Sequence, residues 1–179
     1  MIYTAEYDSP LGTMILACDE KAIVGLWFQG QKYFGSGLLQ GSQSKETVLL
    51  SQGKRWLDIY FSGKEPDFLP SLRYGGTPFQ KKVYDILLTI PYGKTMTYGS
   101  IAAQMAKETG VSCMSAQAVG GAVGHNPISL LIPCHRVVGT QGNLTGYAGG
   151  IERKRKLLEM EHTDRSRFFI PKKSTLLLK

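Results

Sequence analysis

Short apolar runs separated by polar turn segments make up the first thirty residues. The runs Ile2–Tyr7, Thr13–Ala17 and Ala22–Phe28 contain many β-branched and aromatic residues. This pattern predicts a meander of three strands. The following segment, Gln29–Ser44, is rich in Gly, Ser and Gln, and we predict that it is a loop.

Apolar residues recur at near-helical spacing after this loop. The pattern predicts a helix that ends near Gly63, and its apolar positions are Val48, Leu49, Trp56, Ile59 and Tyr60. A linker follows, and it is marked by Pro66, Pro70, Gly75 and Gly76. We therefore predict an N-terminal domain over residues 1–76.

A strong helix start opens the second half. Thr77 can cap the helix, Pro78 suits its first position, and Gln80 completes a capping box. One apolar stripe follows at i, i+4, i+7, i+8 and i+11, and its members are Phe79, Val83, Ile86, Leu87 and Ile90. The Pro-Tyr-Gly segment at 91–93 is predicted to end the helix.

Two shorter helices are predicted next. Thr97 can cap a helix over residues 98 to about 107, and Gly110 breaks it. Either Ser112 or Ser115 can start the other helix. A longer helix followed by two short ones joined by a turn is typical of helix-turn-helix and winged-helix modules.

These elements predict an α+β fold class. A small N-terminal domain of β-meander and helix is followed by a helical, winged-helix-like domain over residues 77–163. Residues 164–179 form a basic tail. Its charges either reach a polyanion or belong to a frayed, solvated end, and they are Arg165, Arg167, Lys172 and Lys173.

The last of the predicted short helices carries Gly120, Gly121 and Gly124. Each glycine inside a helix costs about 0.5–1 kcal/mol relative to alanine. Such small residues let the helix backbone lie very close to another surface. That surface is either a nucleic-acid groove or a neighbouring helix, and the sequence leaves both open.

Charge is distributed unevenly along the 179 residues, of which 42% are hydrophobic and 20% charged. Residues 1–76 have a net charge of −1, residues 77–161 have +4, and residues 162–179 have another +4. This asymmetry indicates a polyanionic partner for the C-terminal half. A basic surface that serves only solubility is the alternative.

The cysteines and the N-terminus indicate the compartment. Cys18, Cys113 and Cys134 cannot all pair, and their spacing is unlike that of a secreted disulfide framework. The first residues lack the basic region of a signal peptide, and no apolar run approaches the length of a membrane span. We expect a soluble, reduced, cytoplasmic protein.

One cysteine stands out by its neighbours. An apolar run leads into Ile132-Pro133-Cys134-His135-Arg136-Val137. A lone cysteine is most often a small buried hydrophobe. An adjacent imidazole or cation, however, favours the nucleophilic thiolate over the thiol, whose usual pKa is about 8.5. Cys134 is therefore the candidate reactive centre.

This stretch resembles the signature of the O6-alkylguanine-DNA alkyltransferases, also called methylated-DNA–protein-cysteine methyltransferases. The resemblance covers about residues 77–161. It rests on Pro133-Cys134-His135-Arg136-Val137, on Val119-Gly120-Gly121-Ala122 and Asn126-Pro127 upstream, and on Gly146-Tyr147-Ala148-Gly149-Gly150 downstream. The N-terminal meander fits the ribonuclease-H-like domain of that family.

The resemblance implies a reaction. The protein would bind double-stranded DNA as a monomer and turn an O6-alkylguanine out of the stack. Cys134 would take the alkyl group in a single, irreversible turnover without a cofactor. Whether O4-alkylthymine is also accepted stays open. Some relatives hold zinc in the N-terminal domain, but residues 1–76 contain no histidine, so we predict no metal site.

The resemblance also implies a role for each catalytic residue. Cys134 matches the nucleophile, His135 the base that takes its proton through a water, and Glu161 the carboxylate that orients the histidine. Asn126 matches a residue that braces the active-site turn. Tyr98 matches a tyrosine that donates to the flipped base and crowds the phosphate.

A second group is implied to contact the base or the DNA. Val137 and Tyr147 match walls of the pocket. Ala148, where some members have serine, offers its backbone N–H to the guanine oxygen. In many family members, an arginine at this position fills the gap left by the flipped base. This chain has Gln117 there, and the glutamine brings no charge. The remaining expected contacts are Ala118, Gly121, Arg136 and Gly149.

Other interpretations of the same residues stay open at this point. Tyr98 could be a core aromatic, and Glu161 could form only a surface ion pair with the basic run 153–156. Cys18 and Cys113 are expected to be inert buried thiols, and His125 and His162 to be solvated.

Two other functions also fit part of the pattern. A lesion-binding protein without chemistry shares the architecture but replaces the cysteine, which is kept here. A cysteine hydrolase would need an oxyanion element, and none is recognisable.

Overall fold

The structure, a computed structural model, describes residues 1–35, 37–164 and 166–171. Its N-terminal half begins with a sheet of four strands, β1 (Tyr3–Ser9), β2 (Gly12–Cys18), β3 (Ile23–Phe28) and β4 (Gln43–Ser44). Their order in the sheet is β3-β2-β1-β4. The first three are antiparallel neighbours, as predicted, whereas β4 pairs in parallel with β1 at the end of the predicted loop.

One helix covers this sheet. Helix α1 (Val48–Phe61) begins after Thr47, whose hydroxyl accepts a hydrogen bond from the Leu50 amide. It ends at Phe61, two residues before Gly63, whose φ of 81° lies in the left-handed region. The helix buries Trp56 and Tyr60, so the predicted element and its end are confirmed.

Helix α2 (Pro78–Leu87) opens the second half with the predicted capping box. The Thr77 hydroxyl accepts from the Gln80 amide at 3.2 Å, and the Gln80 side chain accepts from the Thr77 amide at 2.9 Å. The helix ends earlier than predicted. Ile90 follows in a tight turn, in which its amide donates to the Leu87 carbonyl, and it is buried.

Two further helices follow as predicted. Helix α3 (Tyr98–Thr109) is capped by Thr97 and ends at Gly110, whose φ is 73°. Of the two serines proposed for the next start, Ser115 caps α4 (Ala116–Gly124) by accepting from the Ala118 amide. Short strands β5 (Met96–Thr97) and β6 (Val137–Val138) pair in parallel.

Helix α5 (Ile151–Met160) is an element that the sequence pattern does not predict. Four consecutive basic residues hide its apolar positions, because a charged run looks like a solvated surface. The structure nevertheless buries Lys154, Leu157 and Leu158 along one face of this helix. The helix places Glu161, its C-terminal cap, inside the protein.

The two halves share one hydrophobic core. Strand β3 also joins them directly: the Leu26 amide donates to the Pro127 carbonyl at 3.0 Å, and the Ser129 amide donates to the Leu26 carbonyl at 2.8 Å. The sheet of the N-terminal half therefore fixes the segment that leads to Cys134. The α+β class is confirmed, and the boundary at residue 76 stays a prediction.

Several surface predictions need correction. Cys18 is buried as expected, but Cys113 is exposed in the turn between α3 and α4. His125 is exposed, but it is not simply solvated, because its ring stacks on Tyr33 with centroids 4.0 Å apart. His162 is exposed.

The C-terminal segment is partly ordered against the protein. Phe169 pairs with the 142–144 segment: its amide donates to the Gly142 carbonyl, and its carbonyl accepts from the Leu144 amide. The prediction of a frayed, solvated end is therefore wrong for the residues around Phe169. Arg165, Lys172 and Lys173 lie outside the described residues. Within the described ranges, no helix has both the length and the apolar character that crossing a membrane requires.

Candidate active site

A tight turn presents Cys134 between two buried segments. Residues 134–136 form a single 3₁₀ turn, and the Cys134 amide donates to the Ile132 carbonyl at 2.8 Å. Asn126 holds the preceding chain in place, because its side-chain amide donates to the Ile132 carbonyl at 2.8 Å and its oxygen accepts from the Ile128 amide at 3.0 Å. The bracing role expected of Asn126 matches this geometry.

The Cys134 thiol lies in a largely apolar environment. The residue is only 4% exposed, and burial raises the pKa of its thiol. The Asn126 amide and the Lys154 ammonium act in the opposite direction, but burial prevails. Cys134 therefore rests as the thiol, and the site must supply a base before the sulfur can act as a nucleophile.

His135 is the base that the geometry offers. It is completely buried, and its Nε2 lies 2.5 Å from Glu161 Oε1. Burial lowers the pKa of His135, outweighing the attraction of Glu161 for the charged ring. An ionised carboxylate only accepts hydrogen bonds, so Nε2 carries the proton. Nδ1 has no hydrogen-bond partner among the described residues and keeps its lone pair.

Glu161 is a buried carboxylate held by donors from three parts of the chain. Oε1 accepts from His135 and from the Tyr60 hydroxyl at 2.8 Å, and Oε2 accepts from Arg136 Nε at 2.9 Å and from the Gly93 amide at 3.0 Å. Burial by itself would raise the pKa of Glu161, but His135 and Arg136 hold it far below its ordinary value. Glu161 is therefore ionised, and a surface ion pair with residues 153–156 is excluded.

Arg136 does not lie where the prediction placed it. The expected DNA contact would require an exposed guanidinium, yet the side chain is 11% exposed and points inward. Besides Glu161, it binds the Ile90 carbonyl through Nη1 at 2.6 Å and lies over the Tyr92 ring. Arg136 balances the charge of Glu161, and the prediction of a DNA contact is wrong for this conformation.

Tyr98 and Lys154 meet at the Thr145 carbonyl. The Tyr98 hydroxyl donates to it at 3.1 Å and Lys154 Nζ at 2.9 Å, and the ammonium lies 5.8 Å from the centre of the Tyr98 ring. Burial lowers the pKa of Lys154 to about 8. In the sequence, Lys154 is indicated only as part of the basic run 153–156. Its register on α5, one turn before Leu157 and Leu158, was the available signal.

The residues expected to form the pocket walls lie largely inside the protein. Val137 and Tyr147 are buried, and Ala148 is half-buried. Gly149 is required here, because a Cβ atom at this position would lie 2.6 Å from the Tyr147 ring. Gly146 has a φ of 73°, and a Cβ there would lie 3.1 Å from the Tyr98 hydroxyl. Gly146 thus leaves room for the Tyr98 hydroxyl, and Gly149 leaves room for the Tyr147 ring.

The glycine-bearing face of α4 is open. Gln117, Ala118 and Gly121 are exposed. A Cβ atom would meet nothing within 4 Å at Gly121 or Gly124, whereas at Gly120 it would touch Tyr98. Packing against another helix therefore does not explain Gly121 and Gly124. A surface pocket of about 560 Å³ separates this face from the segment 146–148.

The structure adds Tyr60 and Gly93 to the predicted site. Tyr60 was assigned only to the apolar face of α1, and Gly93 only to a helix end. Both reach Glu161 from more than 60 residues away in sequence, so no local pattern could indicate these contacts.

The depressed pKa of Glu161 predicts how stability depends on pH. Unfolded glutamate binds a proton near pH 4.3, whereas folded Glu161 does not. Its stabilising effect is therefore complete above that pH, and it is lost at about 1.4 kcal/mol per pH unit as the pH falls below it. Glu161→Gln removes this dependence. It also leaves the Arg136 charge buried and unpaired, which costs about 3–5 kcal/mol at neutral pH.

Urea unfolding at several pH values checks both effects. The difference in unfolding free energy between wild type and Glu161→Gln should shrink as the pH falls below about 4. Glu159→Gln is the control, because Glu159 pairs with Arg155 near the surface and such pairs contribute little. An unfolding free energy that falls equally steeply below about pH 4 in wild type and in Glu161→Gln would contradict the prediction.

Comparison with known proteins identifies the family. Residues 2–72 match the model of the 6-O-methylguanine DNA methyltransferase ribonuclease-like domain, and residues 78–163 match that of its DNA binding domain. A methylated-DNA–protein-cysteine methyltransferase from Mycobacterium tuberculosis is 42% identical over 161 residues, covering 90% of this chain and 93% of that protein. One from Methanosarcina acetivorans is 38% identical, covering 89% and 98%.

Solved structures agree. The crystal structure of the Mycobacterium tuberculosis O6-methylguanine methyltransferase has a TM-score of 0.75 at 41% identity, covering 93% of this chain and 94% of that one. The Mycobacterium tuberculosis OGT in complex with DNA has a TM-score of 0.76 at 40% identity, with the same coverage. The chain therefore belongs to the methylated-DNA–protein-cysteine methyltransferase family.

Proposed function

We propose that this protein repairs DNA by moving an alkyl group from O6-alkylguanine to its own Cys134. The observation that carries the proposal is the buried series Cys134, His135 and Glu161, set on a turn braced by Asn126. It has the three parts of an activated nucleophile: a sulfur, a base and a group that orients the base. The family of the chain supplies the substrate class.

In the proposed reaction, the Cys134 proton passes through a water to Nδ1 of His135, the nitrogen with a free lone pair. The sulfur then attacks the alkyl carbon, an S–C bond forms, and the bond between that carbon and O6 of guanine breaks. Guanine leaves with the bonding electrons and takes up a proton, and a thioether stays on Cys134. The sulfur cannot be released from this bond, so each molecule acts once.

The substrate reaches the thiol as a flipped base. We infer that α4 lies in the minor groove as the second helix of a helix-turn-helix pair with α3, because its open glycine face allows close approach. The pocket beside Tyr147 and Ala148 suits an extruded base. Gln117 lies exposed on the first turn of α4, where it can fill the gap in the stack. The Tyr98 hydroxyl would give up its hydrogen bond to the Thr145 carbonyl and donate to the flipped base instead.

One molecule carries the whole site, so we propose that it acts as a monomer. A nucleophile that must stay a free thiol suits a reducing compartment such as the cytoplasm.

Intact-protein mass spectrometry tests the proposed reaction. After incubation with a duplex that contains O6-methylguanine, the protein should gain one methyl group, about 14 Da, located on Cys134. Cys134→Ser should bind the duplex and gain nothing, while Cys113→Ser should be methylated like wild type. A wild-type protein that binds the lesion but stays unmodified would instead be a lesion-binding protein without chemistry.

The residue at position 117 is expected to limit DNA affinity. Gln117→Arg adds a cation to the exposed start of α4. If it neutralises one phosphate, DNA should bind more tightly and the slope of log K against log salt should steepen by about 0.9. Gln52→Arg, the same change on the exposed face of α1, is the control and should change neither quantity. Equal effects of both variants would show that α4 is not the DNA contact.

A further inference from the structure

Tyr60 connects the N-terminal half to the reacting groups of the C-terminal half. It lies on α1 and is completely buried. Its hydroxyl lies 2.8 Å from Glu161 Oε1 and 3.3 Å from His135 Nε2, although these residues are 101 and 75 positions away in sequence. The hydroxyl and the imidazole therefore donate to the same carboxylate oxygen.

The Tyr60 ring is fixed by its neighbours. It stacks on Trp56 with centroids 5.2 Å apart and an interplanar angle of 9°. Phe61, Tyr92 and His135 contact it edge-on, with centroids 5.4, 6.2 and 6.2 Å away. Burial, and then the nearby Glu161, raise the pKa of Tyr60 well above its ordinary value. The hydroxyl thus stays protonated and acts as a donor wherever the protein is folded.

We propose that Tyr60 is a positioning residue for alkyl transfer, and that its hydroxyl, by sharing Glu161 Oε1 with His135, sets the pH at which His135 accepts the thiol proton. The inference rests on the proposed function. Each donor to a carboxylate draws off part of its charge. Without the Tyr60 hydroxyl, more of the Glu161 charge faces His135, and the imidazolium becomes easier to form.

Other charged or titratable groups also act on His135, and all of them are kept in the test. Glu161 favours the charged ring, whereas Arg136 and Lys154 disfavour it. Among the described residues, further titratable or charged groups around the site are Cys134, Tyr84, Tyr92, Tyr98, Tyr147 and Arg153. None of these residues is altered in the variants below.

The test is the rate of a single methyl transfer, measured from about pH 8 down to the lowest pH at which the protein stays folded, because burial places the titration of His135 below the ordinary range of histidine. If neutral His135 is the base, the rate falls on the acid side as the ring becomes protonated. Tyr60→Phe should move this acid limb to higher pH by about half a unit to one unit, a part of the roughly one to two units to which a whole hydrogen bond to a charged group corresponds. A purely structural role would lower the melting temperature and leave the limb in place.

Tyr7→Phe is the matched control. The Tyr7 hydroxyl donates to Asp58 on the same helix at 2.9 Å, so this variant also loses a bond between a tyrosine and a carboxylate. Its acid limb should coincide with that of wild type. A limb that moves equally in both variants would contradict a specific role for Tyr60.

Replacement of Tyr60 by 3-fluorotyrosine tests the opposite sign and keeps the shape of the ring. Fluorine makes the hydroxyl a stronger donor, so the acid limb should move to lower pH. Limbs that stay in place for both Tyr60→Phe and the fluorotyrosine protein would overturn the inference. A wild-type protein that transfers no methyl group would instead overturn the proposed function.

Discussion

The buried carboxylate of Glu161 is the group on which the site depends. A buried charge is tolerated only when hydrogen bonds and an opposite charge compensate for its lost hydration. Here His135, Arg136, Tyr60 and Gly93 provide that compensation. Because these donors come from three separate parts of the chain, the carboxylate also fixes how these parts lie relative to one another.

This arrangement assigns distinct tasks to adjacent residues. In the proposed reaction, Cys134 and His135 are the nucleophile and the base, whereas Arg136, the next residue along, turns inward and balances the charge of Glu161. The two tyrosines near the pocket are positioned by glycines, since Gly146 and Gly149 leave room for their rings and hydroxyls. The N-terminal half contributes directly to the site. Strand β3 forms hydrogen bonds with Pro127 and Ser129, and α1 places the Tyr60 hydroxyl against Glu161.

Local features of the fold could be predicted from the sequence, and distant contacts could not. Caps at Thr77, Thr97 and Ser115 depend on neighbouring residues and are correct. Helix α5 was not predicted, because five consecutive charged residues, 152–156, separate Ile151 from its other apolar residues. Cys113 was expected to be buried by its residue type alone, but the turn that carries it is exposed.

The site shows the same division. The pairing of His135 with Glu161 was expected only through the family resemblance, since 26 residues separate them. The direction of Arg136 depends on a carboxylate that no local pattern places beside it. The sequence predicts Tyr60 only as a core aromatic residue, and its ring does pack in the core. Its hydroxyl acquires a partner only when α1 packs against the chain after α5.

In the proposed reaction, ionised Glu161 holds the proton on Nε2 of His135 and leaves Nδ1 free to act as the base. Nitrogen NMR on protein labelled with ¹⁵N in its three histidine rings measures the tautomer directly. At neutral pH, His135 should show a protonated Nε2 and an unprotonated Nδ1, and Glu161→Gln should disturb this pattern while His125 and His162 keep theirs. A proton on Nδ1 of His135, or on both nitrogens, would contradict the claim.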